Sequence, residues 1–151
     1  MLIHRLIYVS RRRDGVSEDE LRDIADVSLA RNSTKGITGY LYFDSESFIQ
    51  EIEGVEADVA ALYRSICSDG RHEGIRTVLA QDSETRVFGE WTMAFHDGDK
   101  DGGLLQKTFG SRAPASLDES DGEQILRFLR NLSIGSAEII PVAQTDPLTE
   151  A

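Results

Sequence analysis

Polar and apolar residues alternate with a period of two along residues 37–43 and again along residues 48–53, with the turn-forming run Asp44 to Ser47 between them. This pattern predicts a β-hairpin over residues 36–54. Phe48, Gln50 and Ile52 fall on one face of its second strand, the predicted dry face, and Ile49, Glu51 and Glu53 fall on the other. Gln50 is the misfit. A primary amide between two large apolar neighbours, left without a hydrogen bond, costs ~1–3 kcal/mol, so Gln50 calls for a buried partner.

The rest of the chain can be read in the same way. Residues 2–9 are branched or aromatic on both faces and predict an interior strand, with Leu6 and Tyr8 side by side on one face. Ser17 and Glu20 have the spacing of a capping box, and Leu21, Ile24, Ala25, Ser28 and Leu29 after them form a helical stripe ending near Arg31 and Asn32. A second helix over residues 56–68 carries Val59, Leu62, Tyr63 and Ile66 on one stripe, and Asp69 and Gly70 stop it. Residues 75–81 predict a fourth strand and residues 90–95 a short fifth, with Trp91, Met93 and Phe95 on one side.

The order strand, helix, strand, strand, helix, strand is the split βαβ arrangement of ferredoxin-like α+β folds. It places both helices on one sheet face and makes the fifth strand an addition to a mixed sheet. The other face needs a cover. A second capping-box spacing, Ser120 to Glu123, opens an apolar helix containing Ile125, Leu126, Phe128, Leu129 and Leu132, and Leu104, Leu105 and Phe109 predict a short helical turn before it. The expected organisation is a sheet-and-helix domain over residues 1–96, a helical extension over 97–135 that packs on the sheet, and a loose tail over 136–151 containing Pro141 and Pro147.

Composition narrows the function classes. A net charge of −11 opposes nucleic acid or an anionic membrane as the main partner, and the local cluster Arg11 to Arg13 reads as a solvated loop. The single cysteine, Cys67, excludes an internal disulfide. The short apolar run near the start, interrupted by His4 and Arg5, is neither a signal peptide nor a membrane span, and the expectation is a cytoplasmic protein. No glycine-rich phosphate loop is present, and the Gly36 to Gly39 pair is explained by strand entry and close packing. His4, His72 and His96 lack metal-ligand spacing, and no serine stands in a nucleophile setting, so neither metal chemistry nor hydrolysis is expected.

What remains is a set of polar and aromatic residues in unusual places, and it carries a resemblance. Tyr8-Val9-Ser10, Asn32, Gly36-Ile37-Thr38-Gly39, Phe48-Ile49-Gln50-Glu51-Ile52-Glu53-Gly54, Asp69-Gly70-Arg71-His72 and Trp91-Thr92-Met93 occur in the order and spacing that resemble the BLUF (blue-light-using flavin) photoreceptor domain, over about the first 96 residues. The helical extension is similar to that of the small members that lack an attached enzyme. The resemblance implies a noncovalently bound flavin between the two helices, generally FAD, with FMN or riboflavin able to take its place.

By the same resemblance Tyr8, Ile24, Asn32, Ile37, Gln50, Ile66, Arg71 and His72 are the flavin-contacting residues. Ile24 and Ile66 sandwich the ring, Asn32 meets its pyrimidine edge, and Arg71 and His72 lie toward the ribityl and phosphate groups. Arg31 and Ser65 depart from common family residues and are given no flavin contact. Gln50 would bridge the Tyr8 hydroxyl and the flavin N5 and C4 carbonyl region, and light would draw an electron and a proton from Tyr8 and leave Gln50 rotated or tautomerised.

Trp91 and Met93 complete the photoactive set, on a fifth strand expected beside the Tyr8 strand. The implied partners are the flavin, a downstream protein and a second copy of the chain, with no nucleic acid and no membrane. Two other classes compete. A flavin-dependent redox enzyme would need a substrate cavity at N5 and usually a nicotinamide site, and the sequence shows neither. A ferredoxin-like small-ligand module would leave Gln50 unexplained.

Overall fold

The hairpin forms where the alternation places it. The computed structural model describes residues 2–17, 19–21, 23–24, 35–89 and 94–135. Strand β1 (Ile3–Arg12) is followed by β2 (Thr38–Phe43) and β3 (Ser47–Gly54), helix α1 (Glu56–Cys67), β4 (His72–Ser83) and β5 (Ala94–Asp97), then by helices α2 (Leu104–Phe109) and α3 (Gly122–Gly135). The sheet order is β4-β1-β3-β2-β5. The first four strands pair antiparallel, and β5 joins β2 in parallel. This is the ferredoxin-like α+β sheet, mixed through its added edge strand.

Local chemistry explains the turns and entries. Asp44 closes the hairpin: its N–H bonds the Ser47 carbonyl, and its carboxylate accepts from the Glu46 N–H at 2.8 Å and from the Tyr42 hydroxyl at 2.8 Å. Gly36 has a φ of +67°, which favours glycine at the entry to β2. At Gly39 a side chain would run into the Glu51 carbonyl, so glycine there sets the close approach of β2 and β3. Ser17 and Glu20 form the capping box, with the Glu20 N–H donating to Ser17 Oγ at 3.2 Å and the Ser17 N–H donating to Glu20 Oε1 at 3.3 Å. Helical residues 19–21 and 23–24 follow it.

Two apolar clusters sandwich the sheet. Leu6, Tyr8, Leu41, Phe48 and Ile52 meet Leu21 of the first helical segment and Val59 and Leu62 of α1 on the front face. Ile7, Val9, Tyr40, Tyr42 and Ile49 meet Leu105 and α3 residues Ile125, Phe128 and Leu129 on the back. Burying a single such side chain contributes ~1.5–3 kcal/mol, so the extension is part of the fold's stability.

Three expectations need correction. The fifth strand does not lie beside β1, because β3 and β4 already occupy both edges of β1 and only an outer strand has a free edge to offer. The capping box before α3 is formed by Asp118 and Asp121, not Ser120 and Glu123. It opens a 3₁₀ turn at Glu119–Asp121 that leads into the helix at Gly122, where a side chain would strike the Val78 carbonyl. The face bearing Glu51 and Glu53 is as dry as the face bearing Gln50, since both carboxylate residues are fully buried. Strand β4 is also longer than predicted, with a register shift that lets Thr77 face front while Val78 and Leu79 pack on the back. Among the described residues no helix is long and apolar enough to cross a membrane.

Candidate functional site

The register of β1 against β3 sets Tyr8 opposite Gln50, with both side chains on the front face. The Tyr8 hydroxyl donates to Gln50 Oε1 at 2.6 Å. This is the buried partner that the alternation demanded, and at 4% and 5% exposure neither residue has water as an alternative. Burial first, and the negative charge of Asp69 second, push the Tyr8 phenol far above its ordinary range. Tyr8 is therefore a protonated donor in the resting state.

The pair lies in a row that crosses the whole sheet. Thr77 on β4, Tyr8, Gln50, Leu41 on β2 and Phe95 on β5 are successive register partners. Tyr63 of α1 closes the row at one end, accepting from Thr77 Oγ1 at 3.0 Å and holding its ring 5.9 Å from that of Tyr8.

A cleft opens over the row, lined by Tyr8, Ile24, Leu41, Phe48, Gln50, Leu62, Ser65, Ile66, Asp69, Arg71 and His72. Ile24 and Ile66 reach it from the two helices, as the stripes predicted. Leu62 stands one turn before Ile66 and was legible from the same stripe. Leu41 and Phe48 belong to the dry hairpin face, and Asp69 opens the Asp-Gly-Arg-His run. Ile37 packs in the front cluster without lining the cleft. Ser65, given no role from the sequence, lines it. Asn32, Trp91, Met93 and Arg31 lie outside the described residues.

The last turn of α1 and the start of β4 form the mouth. Asp69 takes a two-pronged contact from Arg71, Nε to Oδ1 at 2.9 Å and Nη2 to Oδ2 at 2.7 Å, and Arg71 Nη1 reaches Asp23 on the first helical segment at 3.1 Å. The hydrogen bonds from Arg71 hold the Asp69 carboxyl below the usual carboxylate range, and those to Asp69 hold the guanidinium above its own. Arg71 thus ties the two helical elements together at the cleft edge. His72 is fixed at both ring nitrogens, with Nε2 donating to the Ile66 carbonyl at 2.7 Å and Nδ1 accepting from the Ser10 hydroxyl at 2.7 Å in the tautomer that satisfies both. Its edge packs on Tyr8 and Phe48.

A flat, mostly apolar ring system with one hydrogen-bonding edge fits this cleft, because the walls are aliphatic or aromatic and the Tyr8–Gln50 pair presents a polar group at the sheet. A flavin is such a group. Among the described residues no cluster of His, Cys, Asp and Glu is placed to hold a metal ion.

Residues 3–94 match the family model for BLUF, sensors of blue-light using FAD. The chain is 33% identical over 142 residues to the blue light- and temperature-regulated antirepressor BluF of Escherichia coli (strain K12), covering 91% of this chain and 34% of that protein. It thus spans about a third of that relative's length. Among solved structures, the photo-activated state of BlsA superposes with a TM-score of 0.73 at 26% identity, covering 86% of this chain and 95% of BlsA. The dark state of BlrB, a BLUF protein, superposes with a TM-score of 0.72 at 26% identity, covering 87% and 96%. The chain belongs to the BLUF family, the sensors of blue light that use FAD.

Proposed function

We propose that this chain, as a BLUF-family photoreceptor, converts blue light into a rearrangement of the Tyr8–Gln50 hydrogen bond and passes it to a protein partner. The observation that carries this is the buried 2.6 Å bond from the Tyr8 hydroxyl to Gln50 Oε1 beneath the cleft. A bound flavin supplies the absorption of blue light and, when excited, an acceptor for an electron and a proton.

The chain's own residues do the rest. Ile24, Leu62 and Ile66 hold the ring from the helices, and Asp69, Arg71 and His72 fix the mouth, with Asn32 assigned to the pyrimidine edge and Ile37 packing behind the wall. Tyr8 gives up an electron and its hydroxyl proton, and both return to it. During that interval the phenol no longer holds the Gln50 carbonyl oxygen, and the amide is released to rotate or to change tautomer. Turned over, it offers an N–H to the Tyr8 oxygen, so the same two residues hold a second hydrogen-bonded state. No covalent bond to the cofactor is needed.

The output would leave along the sheet. Leu41 and Phe95 continue the Gln50 row to β5, and Trp91 and Met93 are assigned to the output because they immediately precede that strand in the chain. A relative named an antirepressor supports a protein as the downstream partner, and a second copy of the chain is a further expected partner. Residues 1–96 would be the sensor and 97–135 the element that reports its state, ahead of the 136–151 tail.

The purified protein tests this by colour. A yellow protein that shifts to longer wavelength under blue light and recovers in the dark is the expected result. A colourless protein that takes up no added flavin, or a yellow one without a reversible shift, would overturn it.

A further inference from the structure

The back of the sheet carries a second polar row that the photochemistry does not use. Arg5 on β1 is the register partner of Glu53 on β3 and of Gln81 on β4, and Thr38 on β2 continues the row beside Glu53. Glu51 shares this face two residues earlier on β3. Arg5 Nε lies 3.2 Å from Glu51 Oε2 and 3.3 Å from Glu53 Oε2, with both carboxylate residues at 0% exposure. Two carboxyl groups thus share one guanidinium where no water reaches.

Their surroundings differ. Glu53 accepts from the backbone N–H groups of Val87 at 3.1 Å and Phe88 at 2.6 Å and from Thr38 Oγ1 at 3.4 Å, and Arg86 sits beside it on Thr38 Oγ1 and on the Glu53 carbonyl. The Glu53 carboxyl is the acceptor in the contacts from Val87, Phe88 and Thr38. Glu51 shares the Arg5 contact, and among the described residues its Oε1 is buried with no hydrogen-bond partner. Among the described residues, Tyr40, the register partner of Glu51 on β2, and Glu123 on α3 also lie on this side. Burial and the neighbouring Glu53 push the Glu51 carboxyl well above its ordinary range, against the pull of Arg5.

The cluster also reaches the extension. With its amide satisfied at both ends, Gln81 accepts from Arg5 Nη1 at 3.0 Å and donates to Glu123 Oε1 on α3 at 3.3 Å. Arg5 Nη2 bonds the Thr85 carbonyl at 3.0 Å.

We propose that Glu51 carries a buried proton shared with Glu53, and that this pair, through Arg5 and Gln81, positions β3 behind Gln50 and ties it to helix α3. Glu51 follows Gln50 directly on an extended strand, so a displacement of the Gln50 backbone reaches Glu51 on the opposite face. These are positioning residues and do not touch the reacting groups. The light-dependent half of the proposal rests on the photoreceptor reading; the proton assignment does not.

Carboxyl carbon NMR of the full chain labelled with ¹³C-glutamate tests the proton assignment in the dark. A resonance at the protonated-carboxyl position at neutral pH, lost in Glu51→Gln, is expected. An ionised Glu51 overturns the assignment whatever the flavin does. Light-minus-dark infrared difference spectra of the flavin-loaded chain test the connection. A protonated-carboxyl band that shifts on illumination and vanishes in Glu51→Gln, with the flavin red shift retained, is expected. A red shift with no such band, or a band that survives in the variant, overturns the connection and leaves the photoreceptor reading standing. In Glu51→Gln an amide N–H donor takes the place of the carboxylic O–H that a protonated Glu51 offers to Glu53, so the fold is kept.

Discussion

Strands β1 and β3 are joined by polar side-chain contacts on both faces, and the two sets are built for opposite purposes. On the front, Tyr8 and Gln50 are uncharged and joined by a single 2.6 Å bond beside a cleft, so the amide has room and a second hydrogen-bonded orientation. On the back, Arg5 and Glu53 are tied to β4, the 85–88 segment and, through Gln81, α3 by several charge-assisted bonds. A neutral bond that can be remade stands against a charged set that holds its place. A switch needs both, because an amide that turns against a yielding strand transmits nothing.

The largest expected effect comes from breaking the front. Tyr8→Phe removes the hydroxyl donor, so the normal photocycle should be abolished, as read by the absorption change under blue light. Loss of this one hydrogen bond destabilises the fold by only ~1–3 kcal/mol.

Breaking the back should have the reverse profile. Arg5→Leu leaves two buried carboxyls without their cation and costs ~3–5 kcal/mol in urea unfolding, while the dark absorption maximum of bound flavin stays in place. Equal stability of this variant and the wild type would remove the anchor from the account.

A smaller effect separates the two carboxyls. The folded pKa of Glu51 is raised, so its contribution to stability is fully present below the unfolded carboxylate range of about 4 and is lost as pH rises through the folded value. Glu51→Gln cannot ionise, and its stability should fall less than that of the wild type as pH is raised. The smallest effect concerns output. Trp91→Ala or Met93→Ala should leave the red shift present and diminish the light-dependent change in hydrogen exchange over residues 97–135; an unchanged difference in both variants would remove them from the route.

The front face was legible in the sequence because its signal is local. A period of two, a helical stripe and one polar residue out of place put Tyr8, Gln50, Ile24 and Ile66 where the structure brings them together. The back face was hidden by the same rule. Glu51 and Glu53 alternate as a solvated face does, and the cover that makes that face dry comes from the 85–88 segment and from α3, some thirty and seventy residues later in the chain. Arg5 near the start of a strand likewise looked like an interruption, since its partners lie 46 and 48 residues away. The position of β5 was missed for a topological reason: pairing across β2 depends on which sheet edges remain open, and no local pattern encodes that.

Gln50 and Glu51 are consecutive residues on opposite faces, and conservative variants of the two compared under identical illumination test the account most directly. Gln50→Leu and Glu51→Gln should both bind flavin. The reversible blue-light red shift should be lost in Gln50→Leu and retained in Glu51→Gln. A wild-type shift and recovery in Gln50→Leu, or loss of the shift in a folded, flavin-bound Glu51→Gln, would contradict the division of labour between the two faces.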